Sequence, residues 1–317
     1  MNNKENILIL GGLGFIGKNL YRRLSEEHFK VTILADRITP EDEEFLIAGK
    51  GKNVIQGNVL DGSFMERTIA GYDVIFCLAG HSGASDSVKD PCQDLNANLN
   101  GHLNVLEACR KSNVGARLIF PSTRLVYGKP LKNPVNESHS LNPESIYAIN
   151  KLTAEYYYRL YHRVYGIRSV IFRISNPFGP YQKFGSNHYG ILNWFINKAV
   201  SGQPLEIYGD GSQQRDFLYV DDLVDVFRRS IESRAMDGKI YNIGYGIGIS
   251  LREAAERVAR NVPGTRITYK PWPEIDQKIE TGDYISDIRL IQADTGWKPQ
   301  TDFEEGVRKT IEYYGRR

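Results

Sequence analysis

The stretch Ile7-Leu8-Ile9-Leu10-Gly11-Gly12-Leu13-Gly14-Phe15-Ile16-Gly17 constrains this chain more than any other. An apolar run enters a loop with glycines at 11, 14 and 17, and a helical pattern follows over Lys18–Glu27. Glycines so spaced let the backbone turn tightly, let a pyrophosphate approach, and let the helix pack on the strand. The helix N-terminus then offers unpaired N–H groups and the positive end of its dipole. A glycine triplet alone is weak evidence. The strand–loop–helix setting makes dinucleotide binding the expectation, with Gly11, Gly14, Phe15, Ile16 and Gly17 as contacts.

Around that loop, short apolar runs alternate with helix-length stretches. Ile7–Leu10, Val31–Leu34, Val54–Gln56, Val74–Ala79, Leu118–Phe120 and Ser169–Arg173 read as strands, and Gly101–Ser112 and Ser145–Tyr165 as helices. Strands buried on both faces look like continuous apolar runs, and Val74–Ala79 (VIFCLA) fits. The βαβ order predicts an α/β fold, a doubly wound parallel Rossmann sheet over residues 1–174. After Ile174 turn-forming residues cluster in 175–190, 208–216 and 270–278. Residues 175–317 are therefore expected to form mainly a smaller substrate-binding lobe, with 220–243 returning to the first. The cleft between the lobes is the expected ligand site.

Composition narrows the function classes. Forty Lys and Arg against 38 Asp and Glu leave a formal charge of +2, too balanced for a typical nucleic-acid binder. No apolar run reaches about 18 residues, so no membrane-spanning helix is expected. The stretch Met1–Leu10 lacks the pattern of a secretory signal. The three cysteines, Cys77, Cys92 and Cys109, match neither a disulfide framework nor a zinc site. A cytoplasmic protein without a metal is the expectation. Cys77, inside an apolar strand, reads as core.

The second strand ends Ala35-Asp36-Arg37. Asp36 could bind a ribose 2′-hydroxyl and Arg37 a 2′-phosphate, which leans towards NAD with NADP possible. Asn142-Pro143 reads as a helix start, Asn at the cap and Pro at the first position. Tyr147 and Lys151 then share one helix face. Free tyrosine has a pKa of about 10, and a nearby ammonium and an oxidised nicotinamide both favour the phenolate. Such a tyrosine can take a proton from a hydroxyl. Strand Leu118–Phe120 runs into Ser122 and Thr123, whose hydroxyls fall at the carboxyl edge where such sheets bind ligands. Thr123 could align the reacting oxygen.

These residues together resemble the extended short-chain dehydrogenase/reductases, specifically the sugar-nucleotide epimerase/dehydratase family with members like the UDP-glucose 4-epimerases. The resemblance covers nearly the whole chain, through 11–17, 57–61, Leu78-Ala79-Gly80, 98–101, 122–128, 147–151, 173–180 and 208–222. It implies Thr123, Tyr147 and Lys151 as the catalytic set, with Tyr147, Lys151, Ser122, Asn98, Leu78, Ala79 and Gly80 also near the cofactor. Asn58 and Val59 would contact adenine. Asn176 and Arg215 would join Thr123 in holding a nucleoside-diphosphate sugar, with a local ion pair to Asp216 or Asp221 as the plain alternative for Arg215. A homodimer through the helices Gly101–Ser112 and Ser145–Tyr165 is implied, and a face of Tyr156, Tyr157 and Tyr161 suits it.

Three departures from the family pattern matter. Asp36 falls one place late. Arg124-Leu125 replaces the Asp-Glu pair of the 4,6-dehydratases, which argues against that elimination. Lys278-Ile279-Glu280-Thr281 precedes Gly282-Asp283 where a second arginine is usual, so Lys278 substitutes or the diphosphate is gripped differently. The expected function is a nucleoside-diphosphate-sugar 4-epimerase using tightly held NAD and a transient 4-keto sugar. The alternative is an NADPH-consuming 4-ketoreductase. A sensor without turnover would lack the Tyr–Lys pair, which is present.

Overall fold

A computed structural model of the chain describes residues 5–48, 53–183 and 190–316. The first four residues of the N-terminal stretch, and 184–189 of the turn-rich segment, lie outside the described residues. Strands β1 (Asn6–Leu10), β2 (Lys30–Ala35), β3 (Val54–Gln56), β4 (Val74–Cys77), β5 (Arg117–Thr123) and β6 (Arg168–Ile174) form one sheet with a late strand, Ile240–Ile243. Its order is Ile240–Ile243, β6, β5, β4, β1, β2, β3, and every pair is parallel. The chain order reverses at β1, and such sheets bind ligands beyond the strand ends at that point.

Alternate residues of each strand feed different cores, which is why the runs read as wholly apolar. Ile7, Ile9, Ile33, Phe76 and Phe172 pack on one face. Leu8, Leu10, Ile75, Leu118 and Phe120 pack on the other. Each fully buried aliphatic or Phe side chain contributes about 1.5–3 kcal/mol. β4 ends at Cys77, two residues before the expected end, and Leu78-Ala79-Gly80 leaves the sheet to border the ligand region.

Beyond residue 174 a three-stranded sheet (Asn176–Phe178, Gln214–Tyr219, Gly248–Ser250) and a two-stranded one (Leu205–Tyr208, Ile267–Lys270) pair up. Helices Ile191–Val200, Leu251–Asn261 and Phe303–Gly315 cover them around Phe178, Phe195, Phe217, Val258 and Val307. Helix Val220–Ser230 returns to the first core, where Phe227 meets Phe172 and Phe76 at centroid distances of 5.5 and 5.8 Å. Ile288, Ile291 and Trp297 return there as well, which periodicity did not reveal.

Two helices carry the site. Pro91–Leu95 runs through a π-helical turn, Asn96–Asn100, into Gly101–Ser112; such turns often mark functional sites. Helix Ile146–Tyr165 starts later than Asn142-Pro143 predicts. Its cap is Ser145, whose hydroxyl accepts the Ala148 N–H at 3.3 Å. Asn142 instead donates to Glu144 at 2.8 Å, and its carbonyl crosses so close to Gly128 that a Cβ there would lie 1.8 Å away. The segment is thus held in a crossing and cannot begin the helix.

Candidate active site

The glycine loop builds the first cavity, of about 560 Å³, beyond β1 and β2. Gly11 has φ +75°, and a Cβ there would stand 2.7 Å from the Ala79 nitrogen. A Cβ on Gly17 would stand 2.6 Å from Gly12 Cα, so this glycine sets the close approach of helix to loop. Helix Phe15–Glu26 begins at Gly14, which supplies no side-chain cap. Its first N–H groups are left for an anion such as a pyrophosphate. Gly11, Gly14, Asp36, Arg37, Asn58, Val59, Leu78, Ala79 and Gly80 all line this cavity, as does His81. Phe15 and Ile16 pack against the core behind the loop.

At the rim of the same cavity Asp42 is buried and ion-paired to Lys18 at 2.8 Å and to Lys183 at 2.6 Å. These cations and the Thr39 hydroxyl hold its carboxyl well below the usual range against the cost of burial. Lys183 comes from beyond β6, so this pair ties the two lobes at the cavity's edge.

Thr123 ends β5 and caps the 3₁₀ turn Arg124–Tyr127, its Oγ1 accepting the Leu125 N–H at 3.2 Å. The Thr123 hydroxyl lies near enough to the Tyr147 phenol to favour the phenolate. Burial, and then the charge of Asp94, nevertheless push the Tyr147 phenol above its ordinary value. The lowering expected from sequence is therefore not supplied by the protein's own groups. Lys151 lies one helical turn on, its Nζ 4.1 Å from the Phe120 ring centre. Burial draws its pKa down to about 7, with Glu155, Cys77 and Asp94 pulling the other way.

Polar groups behind this set fix it. Asp94 accepts from Asn98 at 2.9 Å and from Asn150 at 2.8 Å, so Asn98 braces the helix and does not line the cavity. Ser122 donates to Glu155 at 2.5 Å, and Glu155 pairs with the buried Arg173 at 2.6 Å. Cys77 is core, its thiol pushed up to about 12 by burial, and Cys92 is exposed. Among the described residues no cluster of His, Cys, Asp and Glu could hold a metal, and no helix is long and apolar enough to cross a membrane.

The second cavity, of about 410 Å³, opens between the lobes. Asn176 and Arg215 both line it, with an aromatic wall of Tyr208 and Trp272 whose ring centres are 5.7 Å apart. Arg215 pairs with neither Asp216 nor Asp221. Its Nη2 meets Glu280 at 2.6 Å and its Nη1 donates to the Gly282 carbonyl at 2.9 Å. Lys278 does not replace a second arginine: it is exposed and pairs with Glu274 at 2.7 Å. A third cavity, of about 480 Å³, shares Gly80, His81 and Gln93 with the first and Gly83, Asp86 and Lys89 with the second. The three cavities thus follow one another, with shared walls, from the glycine loop to the cleft.

In the sequence Arg124 signals only a missing acid. It is buried, its Nε donating to Asn176 at 3.0 Å and its Nη1 to Thr281 at 3.1 Å, with its guanidinium 5.3 Å from the Tyr284 ring centre. Glu280, Asp94 and Lys183 were also missed. None has a sequence signature, because each matters through a neighbour distant in the chain.

An uncapped helix end over a cavity of that size, with a hydroxyl pair at the next strand edge but one, is the arrangement of an NAD-dependent enzyme of short-chain dehydrogenase/reductase type. The chain belongs to the NAD dependent epimerase/dehydratase family, whose sequence profile matches residues 7–244. It is similar to UDP-glucuronic acid decarboxylase 1 of Danio rerio, at 30% identity over 322 residues, 99% of this chain and 73% of that one. Its fold is similar to the UDP-glucose 4-epimerase of Thermotoga maritima solved with UDP-glucose (TM-score 0.89, 29% identity, covering 98% of this chain and 99% of that one). The Thermus thermophilus UDP-glucose 4-epimerase, solved with NAD, matches with a TM-score of 0.87 at 29% identity over 98% of each chain.

Proposed function

We propose that this chain is an NAD-dependent 4-epimerase of a nucleoside-diphosphate sugar, working through a transient 4-keto sugar. The observation that carries the reading is Tyr147, set near the Thr123 hydroxyl and bonded through its backbone N–H to Ser87 of the third cavity, which lies between the glycine-loop cavity and the aromatic-walled one. Bound in the first cavity, NAD would supply a hydride acceptor and donor and a cationic ring. Tyr147 Oη takes the proton of the sugar's C4 hydroxyl and later returns it. Thr123 donates to that oxygen and steadies the phenolate. Lys151 adds positive charge from the next turn. Arg215 holds the diphosphate as a planar cation, and Asn176 holds the sugar beside it.

The two lobes divide as 1–174, with 220–243 and 288–297 returning to it, and the remainder of 175–317. Ile149, Tyr156, Leu160 and Val164 form an exposed stripe on helix Ile146–Tyr165, which supports a homodimer through that helix. Tyr161 is no part of it, since its hydroxyl donates to Glu107 of the same chain at 2.5 Å. The ketoreductase reading is favoured by one feature: Arg37 lines the cofactor cavity where a 2′-phosphate would sit.

The test incubates the purified protein with UDP-, dTDP-, GDP- and CDP-sugars, including 4-keto-6-deoxy forms, with and without NADPH. Inversion at C4 without added reductant is expected. Stoichiometric loss of NADPH would favour the ketoreductase.

A further inference from the structure

Four arginines are buried among the described residues: Arg117, Arg124, Arg173 and Arg215. Three are ion-paired, to Asp237, Glu155 and Glu280. Arg124 is the exception, with only the neutral Asn176 and Thr281 as hydrogen-bond partners among the described residues. A buried cation without a counterion is costly, and breaking such a pair elsewhere costs several kcal/mol. The cost is visible here: burial, then the charge of Arg215, draw the Arg124 guanidinium down to about 10, with Glu280 and Asp216 only partly offsetting them.

The position of this charge gives it a use. Arg124 follows Thr123 directly, and its Nε is bonded to Asn176, which lines the cleft cavity. It keeps 7% of its surface accessible. Of five guanidinium N–H donors two are engaged, which leaves three on the Nη1 and Nη2 end, the edge that matches the two oxygens of a carboxylate. In a hexose whose C4 hydroxyl meets Thr123 and Tyr147, C6 is two bonds away.

We propose that Arg124 is a specificity-determining residue that binds a carboxylate at C6 of the sugar, so that the substrate is a nucleoside-diphosphate uronate. This rests on the reading that Thr123 and Tyr147 act at C4. Within the site the charges divide: Arg215 serves the diphosphate and Arg124 the sugar acid. A neutral sugar leaves the Arg124 charge buried and only partly offset by Glu280 and Asp216.

The experiment compares C4 inversion of UDP-glucuronic acid and UDP-galacturonic acid with that of UDP-glucose and UDP-galactose, in wild type, Arg124→Gln and Arg124→Lys. Wild type is expected to favour the uronates by at least about 10-fold in kcat/KM, the low end for a charge-assisted bidentate contact. In Arg124→Gln the uronate-to-neutral ratio falls by at least about 10-fold, and Arg124→Lys recovers part of it. A wild-type preference for neutral sugars overturns the proposal, as does an equal loss on both sugar types. Weaker binding of UDP alone to Arg124→Gln also overturns it, since that marks a diphosphate contact. If no sugar is inverted, the C4 reading fails. The carboxylate site is then decided separately by calorimetry of UDP-glucuronic acid against UDP-glucose on Tyr147→Phe protein, where a uronate preference upholds it and none overturns it.

Discussion

Glu280→Gln should make this protein bind UDP more tightly. Arg215, the cation proposed for the diphosphate, is engaged by Glu280 at 2.6 Å. The arginine side chain is 7% exposed and the glutamate 24%, so the pair is shielded but not sealed. A diphosphate must therefore compete with a carboxylate for the same guanidinium. Glutamine keeps an oxygen to accept from Arg215 and from the Gly282 N–H, which Glu280 now holds at 2.9 Å, and removes only the charge. With glutamine the bond keeps one charged partner of two, so it loses roughly half to two-thirds of the about 1.5–3 kcal/mol that a hydrogen bond to a charged group contributes. The competition thus weakens by about 1–2 kcal/mol, which is about 5- to 30-fold in Kd. The full Coulomb energy at a separation of about 4 Å would exceed this, but solvent at the glutamate and desolvation reduce it. Titration calorimetry of UDP against both proteins measures the change, with uridine as a control that should not respond. Equal or weaker UDP binding by a folded Glu280→Gln protein would refute the idea that Arg215 serves the diphosphate.

Other expectations follow from the same geometry. Tyr147→Phe should lower turnover by about 10²-fold or more while NAD remains bound, as read by steady-state rates and cofactor absorbance; an unaltered rate contradicts the proton-transfer role. Burial draws Lys151 down to about 7 in the fold, against an ordinary value of 10.5. Between those values the unfolded chain binds the extra proton, so stability of the NAD-free protein rises with pH across that window. Lys151→Met removes the penalty: its gain in Tm should be greatest below pH 7 and vanish near pH 10.5, with an upper bound of about 5 kcal/mol. A pH-independent difference would contradict this account. Leu160→Glu, on the exposed stripe, should yield a monomer in sedimentation, and a persistent dimer would move the interface elsewhere.

The parallel sheet was legible because strands covered on both faces need unbroken apolar runs, and Ile7–Leu10 or Val74–Cys77 could serve little else. The tight strand–loop–helix turn was legible because Gly11 and Gly17 each leave no room for a side chain. Helices Pro40–Ala48 and Gly62–Ile69 were not read from sequence. They are short, and the second opens on its Asp61 cap, whose carboxylate accepts the Phe64 N–H at 2.9 Å. The start of helix Ile146–Tyr165 was misread because Asn142-Pro143 satisfies local capping rules while a long-range crossing at Gly128 overrides them. Thr123 and Tyr147 were placed by motif. The ion pair of Arg215 with Glu280, and the unpaired charge of Arg124, depend on residues 65 to 157 positions away, and no local pattern encodes such neighbours.

The tie between Lys183 and Asp42 gives the two halves of the molecule a shared stake in one occupant. Asp42 belongs to the lobe that cradles the dinucleotide, Lys183 to the chain leading into the other, and both stand at the mouth of the same hollow. Traffic of the coenzyme past that mouth therefore engages both halves. On the proposed 4-epimerase reading, in which the electrons are recovered within each turnover, such a latch would suit a coenzyme that has no errand outside.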